Sequence, residues 1–161
     1  MGDRNHSSSA ISIVRATGAD ARALSELAFR SKASNGYDDA FMAACRDELA
    51  YSAGEVEGEE FWKAIGQEGQ LVGMVCLEPD GEDGEVGHFF VAPDAKRMGV
   101  GRMLWQHMEA RAGALRVRRL HLDADPFAVP FYEAMGMRVV GEAPSGSIPG
   151  RMLPRMEKVL R

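Results

Sequence analysis

The spacing of apolar residues predicts a strand followed by two helices at the start of the chain. Residues 11–16 alternate apolar and polar side chains, as an edge strand does. Thr17 and Asp20 then have the spacing of a helix-capping box, and the apolar period lengthens to that of a helix. After a turn at residues 35–38, a second helical pattern runs to about Tyr51. Two helices before any further strand predict a helical flap.

The middle of the chain predicts an antiparallel meander. An acidic stretch at residues 55–60 is interpreted as a loop. Strand-like segments then cover residues 61–66, 70–78 and 85–91, and short glycine-containing turns join them. Connections this short suit antiparallel neighbours.

A strand–helix–strand unit follows the meander. The helix is predicted over residues 102–112, and residues 118–124 carry apolar side chains at every second position, as a strand does. Because one helix separates this strand from the strand at residues 85–91, the two should lie parallel, joined by a right-handed crossover.

Two closing strands complete the pattern. Asp125, which precedes a proline, can cap a further helix that ends at Gly136. Strands are predicted over residues 137–142 and 153–160. The loop between them, residues 143–151, is long enough to suggest a function.

Composition narrows the class of protein. A chain of 161 residues with 45% hydrophobic residues fits one domain, which we assign to residues 11–161 after a flexible leader at residues 1–10. The sequence contains no run of about 18 apolar residues, so a membrane span is not predicted. The leader lacks the apolar core of a secretion signal, so we expect a cytoplasmic protein. Cys45 and Cys76 lie far apart without metal-ligand spacing, which predicts reduced, buried thiols and no metal site.

Charge is distributed unevenly along the chain. The net charge is −5, but residues 47–85 hold twelve Asp and Glu against one Lys, whereas residues 86–161 hold twelve Lys and Arg against seven acidic residues. The basic half suits a small polyanionic ligand, although a solvated surface explains the split equally well. Too few arginines cluster in this acidic protein to favour a nucleic-acid partner.

Two short motifs carry the strongest functional signal. Lys96-Arg97-Met98-Gly99-Val100-Gly101 stands between a strand and a helix, where free backbone N–H groups and the helix dipole favour phosphate. The second motif is Asp125-Pro-Phe-Ala-Val-Pro-Phe131-Tyr132-Glu-Ala-Met-Gly136. Together they resemble the two signature motifs of the GNAT acyltransferase superfamily. The chain departs from the family pattern at Lys96, Asp125 and Met137, where the family has Arg or Gln, Asn and an aromatic residue.

The resemblance implies an α/β GNAT fold, in which a mixed central sheet of six to seven strands splays between the fourth and fifth strands and about four helices flank it. It also implies acetyl-CoA as the acyl-donor cosubstrate, with its pyrophosphate on the N–H groups of residues 97–102 and its pantetheine arm along the backbone at residues 89–91. The cofactor-binding residues that the resemblance implies are Phe89, Phe90, Val91, Lys96, Arg97, Met98, Gly99, Val100, Gly101, Arg102 and Asp125.

Tyr132 is the candidate general acid. A phenol with an ordinary pKa of about 10 stays protonated at neutral pH and can donate its proton to a leaving thiolate, although a tyrosine that only packs needs no such role. The general base stays open among three residues. The family often places a base on the central strand, where His88 and Glu85 lie, and Asp123 is on the polar face of the neighbouring strand.

The predicted activity is N-acetyl transfer to an amine by direct attack in a ternary complex. The amine belongs to a small molecule or a protein, and a homodimer is an expectation at the level of the family. In this fold the flap turn and the loop at residues 143–151 commonly border the acceptor cleft. The candidate substrate-binding residues are Tyr37, Ser145, Ser147 and Arg151. The alternative is a non-catalytic acyl-CoA-binding sensor or interaction module.

Overall fold

A seven-stranded mixed sheet with five α-helices makes up the part of the chain that the computed structural model describes, residues 11–161. The predicted leader, residues 1–10, lies outside the described residues. The strands are β1 (Ser12–Arg15), β2 (Glu60–Ile65), β3 (Leu71–Asp80), β4 (Asp83–Val91), β5 (Arg119–Asp123), β6 (Arg138–Pro144) and β7 (Met152–Val159). The helices are α1 (Ala21–Ala33), α2 (Asp39–Cys45), α3 (Ala53–Gly58), α4 (Val100–Ala114) and α5 (Val129–Ala134).

The sheet order is β1-β2-β3-β4-β5-β7-β6, and β4 and β5 form its parallel pair. This order confirms the edge strand, the antiparallel meander and the parallel crossover. The predicted capping box is also confirmed, on the short 3-10 helix at Gly18–Asp20 that leads into α1, because the N–H of Thr17 donates to Asp20 Oδ2 at 2.9 Å. The two cysteines are free and buried, as predicted.

The second flap helix is shorter than predicted. It ends at Cys45, and hydrogen-bonded turns cover residues 46–49 before Tyr51. The N–H of Leu49 donates to the carbonyls of Cys45 and Arg46, both at 3.2 Å, so the chain turns without extending the helix. These turns bring Leu49 and Tyr51 into the core, where each is less than 9% exposed.

The prediction of a loop at residues 55–60 is wrong, because most of this stretch belongs to α3 and to the start of β2. A capping box starts α3: Ser52 Oγ accepts from the N–H of Glu55 at 3.1 Å, and Glu55 Oε1 accepts from the N–H of Ser52 at 3.0 Å. Val56 is fully buried and anchors the helix. Glu55 and Glu57, the acidic residues within α3, are helix formers with exposed side chains, so their charge does not prevent a helix.

Helix α4 packs directly on β3. A Cβ atom added at Gly73 would lie 2.7 Å from Leu104 and 2.9 Å from Val100 of this helix, so a glycine is needed for the close approach. Leu104 and Met108 of the same helix are fully buried. Within residues 11–161, none of the helices has the length and apolar character that crossing a bilayer requires.

Candidate functional site

The sheet opens between β4 and β5, as the resemblance implied. Their parallel pairing is confined to Asp83–Glu85 against Arg119–His121. On its other side β4 continues to pair with β3, with a bulge at Gly87: Leu77 pairs with Val86 and Cys76 with His88. Beyond Glu85, the edge of β4 that faces β5 therefore has no strand partner among the described residues.

The opening forms a cleft of about 680 Å³. Both predicted motifs contribute to its wall, together with the central strand and the flap. The predicted site residues that line it are Glu85, His88, Phe89, Phe90, Val91, Lys96, Gly99, Gly101, Arg102, Asp123, Asp125 and Tyr132. A cleft of this size and lining can hold an extended small ligand.

The glycine turn enters α4 as predicted. Gly99 has φ 78°, a left-handed conformation that favours glycine, and the fifteen-residue α4 begins at the next residue. A Cβ atom added at Gly101 would lie 3.0 Å from the ring of Phe131, so the lack of a side chain here leaves room for this residue of the second motif. Three of the predicted cofactor-binding residues do not line the cleft: Arg97, Met98 and Val100. The side chain of Val100 is buried against the sheet, whereas Met98 is 52% exposed.

Tyr132 lies at the junction of the two motifs. It is 7% exposed, and its ring lies 6.0 Å from that of Phe89, 5.9 Å from that of Trp105 and 5.5 Å from that of Phe131. Burial raises its pKa above the ordinary value, with a further contribution from the charge of Asp125. The hydroxyl is therefore held in its protonated form, beside the cleft that the residue lines.

His88 is held by Tyr51, a residue that the sequence did not single out. The hydroxyl of Tyr51 lies 3.1 Å from His88 Nδ1, and the two rings are 4.6 Å apart. Burial lowers the pKa of His88, although the charges of Glu48 and Glu55 oppose this shift. The imidazole is therefore neutral at neutral pH and can accept a proton.

The other two candidate bases differ in their partners. Asp123 lies 3.3 Å from Arg155 Nη1, so its charge is already compensated. Glu85 is half-buried, lines the cleft, and forms no ion pair among residues 11–161. No motif identified these differences, because they depend on which side chains the fold brings alongside.

Asp125 is the centre of a polar cluster that ties the flap to the second motif. Its carboxylate accepts from the N–H of Phe127 at 3.0 Å, from Lys32 Nζ at 3.1 Å and from the hydroxyl of Tyr37 at 2.9 Å. Burial opposes its ionisation, yet the Phe127 hydrogen bond and the Lys32 charge hold the pKa of Asp125 below its usual range. The prediction that Asp125 contacts the cofactor stays open, because its oxygens already have these partners.

The four predicted substrate-binding residues connect the flap to the β6–β7 loop and do not line the cleft. Arg151 Nη2 donates to the hydroxyl of Tyr37 at 2.7 Å, and Tyr37 stacks on Phe41 with ring centroids 3.9 Å apart. Burial and the neighbouring Asp125 raise the pKa of Tyr37 to about 12.

The two serines hold the loop itself. Ser145 Oγ accepts from the N–H of Ser147 at 3.2 Å, and Ser147 Oγ donates to Glu48 at 2.6 Å. Asn35, Pro144 and Gly146, the sequence neighbours of these segments, do line the cleft. The loop therefore borders the cleft, and the binding roles of its side chains stay predictions.

Comparison with known proteins gives one family. The model of the acetyltransferase (GNAT) domain matches residues 25–158. No curated protein matches the sequence. The fold is similar to that of the PaiA N-acetyltransferase from Thermoplasma acidophilum in complex with coenzyme A, with 19% identity, TM-score 0.76, and coverage of 92% of this chain and 98% of that chain.

Two further structures have the same fold. A GCN5-related N-acetyltransferase from Rhodopseudomonas palustris is 24% identical, with TM-score 0.77 and coverage of 92% of this chain and 95% of that chain. One from Kribbella flavida is 25% identical, with TM-score 0.68 and coverage of 95% and 99%.

Proposed function

This chain belongs to the GNAT acetyltransferase domain family, and on that premise we propose that it transfers the acetyl group of acetyl-CoA to a primary amine by direct attack in a ternary complex. One observation carries the proposal. The glycine turn before α4, the unpaired edge of β4 and the protonated hydroxyl of Tyr132 all border one cleft. These are the three features that binding and cleavage of an acyl-CoA thioester require.

The donor half of the cleft suits coenzyme A. The start of α4 supplies backbone N–H groups and the positive end of a fifteen-residue helix dipole, and Lys96 and Arg102 add charge. These groups favour the pyrophosphate. The edge of β4 beyond Glu85 offers backbone donors and acceptors that the amides of the pantetheine arm can pair with.

Acetyl transfer from the thioester to the amine requires two proton transfers. The amine nitrogen forms a bond to the thioester carbonyl carbon, and the carbon–sulfur bond then breaks. The sulfur takes the proton of the Tyr132 hydroxyl, and the nitrogen loses a proton to a base. Since the pKa of Tyr132 is raised, this hydroxyl is protonated when the thiolate forms.

His88 is the base in this proposal. Its neutral ring lines the cleft, whereas Asp123 is paired with Arg155. In the tautomer that we assign, Nδ1 carries the proton and donates it to the oxygen of Tyr51, so Nε2 is free to accept a proton. Tyr51 then acts as a positioning residue.

We expect kcat to depend on the neutral form of His88. Because burial lowers its pKa, kcat should rise with pH through a value below 6.5 and level off above it. His88→Gln should lower kcat about 100-fold and remove the fall in kcat at low pH, which we call the acid limb of the profile. Tyr51→Phe removes a hydrogen bond that is stronger to the charged imidazole, so the limb should move to lower pH. Log kcat between about pH 5 and 9 checks both.

Glu85→Gln is the matched control for the base. If this variant loses the acid limb and His88→Gln keeps it, Glu85 is the base instead. A shift of the limb to higher pH in Tyr51→Phe would reverse the tautomer that we assign.

The proposed function is tested in two steps. Acetyl-CoA at about 100 times its Kd should stabilise the protein by about 2.7 kcal/mol and raise the Tm by roughly 5–11 °C. Thiol release over a panel of amines then measures turnover. Absence of stabilisation contradicts donor binding, whereas stabilisation without thiol release for any amine favours the non-catalytic acyl-CoA-binding module.

A further inference from the structure

Two carboxylates that line the cleft with His88 lack a cationic partner. Within residues 11–161, the ion pairs shorter than 4.0 Å involve other acidic residues. The two residues are Glu48 and Glu85. We call them the acidic group. Elsewhere around the cleft the acidic side chains are paired: Asp125 with Lys32, and Asp123 with Arg155.

The acidic group shares the cleft with the proposed base. Glu48 and Glu85 line the cleft together with His88. The charges of Glu48 and Glu55 both act on His88, opposing the lowering of its pKa by burial. Glu48 is exposed, and Ser147 engages one of its two oxygens at 2.6 Å, so the other is open to a ligand.

Glu78 is the neighbour of Glu85 on β3, but it lines a separate pocket with Glu59 and Arg15. Glu78 and Glu85 are register partners on β3 and β4, and the carboxylate of Glu78 covers the bulge at Gly87, where an added Cβ atom would clash with Glu78 Oε2. Burial raises the pKa of Glu78, and the charges of Glu59, Glu85 and Glu55 raise it further. Glu55, Glu59 and Glu78 therefore add negative charge around Glu85, although they do not line the cleft.

Cationic residues also line the cleft. Lys96 and Arg102 flank the turn that faces the donor, and Lys32 is held by Asp125. The anionic donor can balance Lys96 and Arg102, and a cationic acceptor can balance Glu48 and Glu85. Leu49 and Leu153 line the cleft as well, so apolar surface suited to an alkyl chain accompanies the carboxylates.

We propose that the acceptor is an aliphatic di- or polyamine, and that Glu48 and Glu85 bind its second ammonium group while its reacting nitrogen faces His88. The inference rests on the proposed function, because it takes the cleft as the site of acetyl transfer. A neutral or anionic tail would leave the acidic group unpaired, and an anionic tail would be repelled by it.

Three probes of similar length test the proposal: tetramethylenediamine, pentylamine and γ-aminobutanoate, with EDTA present so that no divalent cation occupies the carboxylates. We expect kcat/KM for the diamine to exceed that for pentylamine about 30-fold, as a charge-assisted hydrogen bond allows, and γ-aminobutanoate to be poorer than both. Added salt should narrow the gap, because it screens partly exposed charges.

Two variants locate the effect. Glu48→Gln and Glu85→Gln should each reduce the ratio of the kcat/KM values for diamine and pentylamine at least fivefold, without changing the KM for acetyl-CoA. The ratio separates binding of the second ammonium from any role of Glu85 as a base, since loss of a base slows both amines alike. Glu26→Gln is the control, because it makes the same change on the exposed face of α1.

Equal kcat/KM for the diamine and pentylamine, or an unchanged ratio in both variants, would overturn the inference and leave acetyl transfer intact. If no amine releases thiol, the proposed function fails, and calorimetry of tetramethylenediamine with the coenzyme A-loaded protein decides the inference separately. Binding that both variants weaken supports a polyamine site, and no detectable binding overturns it.

Discussion

Tyr132→Phe should lower kcat about 100- to 1000-fold while leaving the Kd for acetyl-CoA nearly unchanged. The substitution removes the one proton that the proposal gives to the leaving thiolate. It keeps the ring that packs against Phe89, Trp105 and Phe131. Among residues 11–161 no hydrogen bond to another side chain contributes to the raised pKa of Tyr132, so the Tm should also stay close to that of the unmodified protein.

The measurements are single-turnover thiol release and a thermal shift with acetyl-CoA. Tyr51→Phe is the matched control, because it also removes a hydroxyl from a buried tyrosine but should shift the pH profile more than it lowers the maximal kcat. Undiminished kcat in Tyr132→Phe would remove Tyr132 from its assigned role. A parallel loss of Tm and kcat would instead assign it to the core.

Asp125→Ala should lower the free energy of unfolding by about 3 kcal/mol, because it leaves a partly buried Lys32 without its counter-charge and removes a cap. Lys32 and Asp125 are 12% and 17% exposed, so solvent screens the pair only in part. The hydroxyl of Tyr37 loses its acceptor as well. The Tm should fall by roughly 6–12 °C in a protein of this size.

Asp125→Asn separates the two contributions. Asparagine keeps the hydrogen bond to the N–H of Phe127 but not the charge, so its cost should be smaller than that of alanine. Asp47→Ala is the control, because Asp47 is exposed and its side chain contacts no described cation. Equal Tm values for Asp125→Ala and Asp47→Ala would contradict the central place of Asp125 in the cluster.

The pH dependence of this stability has a definite sign. The folded pKa of Asp125 lies below its unfolded value, so the carboxylate stabilises the fold above the unfolded pKa of about 4. That stabilisation should disappear as the pH falls through the folded pKa. The difference in Tm between the unmodified protein and Asp125→Asn should therefore shrink on acidification.

Local signals in the sequence were sufficient for the elements that carry the donor site. The strand, glycine turn and helix around residues 86–112 depend on neighbours in the chain, and so does the Asp125 cap. The capping box of Ser52 and Glu55 is equally local, although the run of acidic residues around it favours a loop. Burial of Val56 stabilises that short helix, and the acidic composition of the stretch gives no sign of this burial.

The acceptor half could not be derived in the same way. Tyr51 and His88 are 37 residues apart, Tyr37 and Arg151 are 114 apart, and Glu48 and Ser147 are 99 apart. A periodic pattern shows which face of an element a side chain occupies, but not which distant side chain meets it. The roles of these residues therefore appear only when the flap and the β6–β7 loop are packed around the sheet.

The order of residues along the chain is enough to specify the two family motifs and the donor turn between Lys96 and Arg102, because backbone N–H groups at a strand–helix junction need only local order. How the charges are compensated depends on the packing of distant segments. Folding paired Asp123 and Asp125 with cations and left Glu48 and Glu85 without one beside His88. Electrostatic pairing acts over a few ångströms in space, whatever the separation along the chain, so only the packed molecule shows which carboxylates are left for an acceptor.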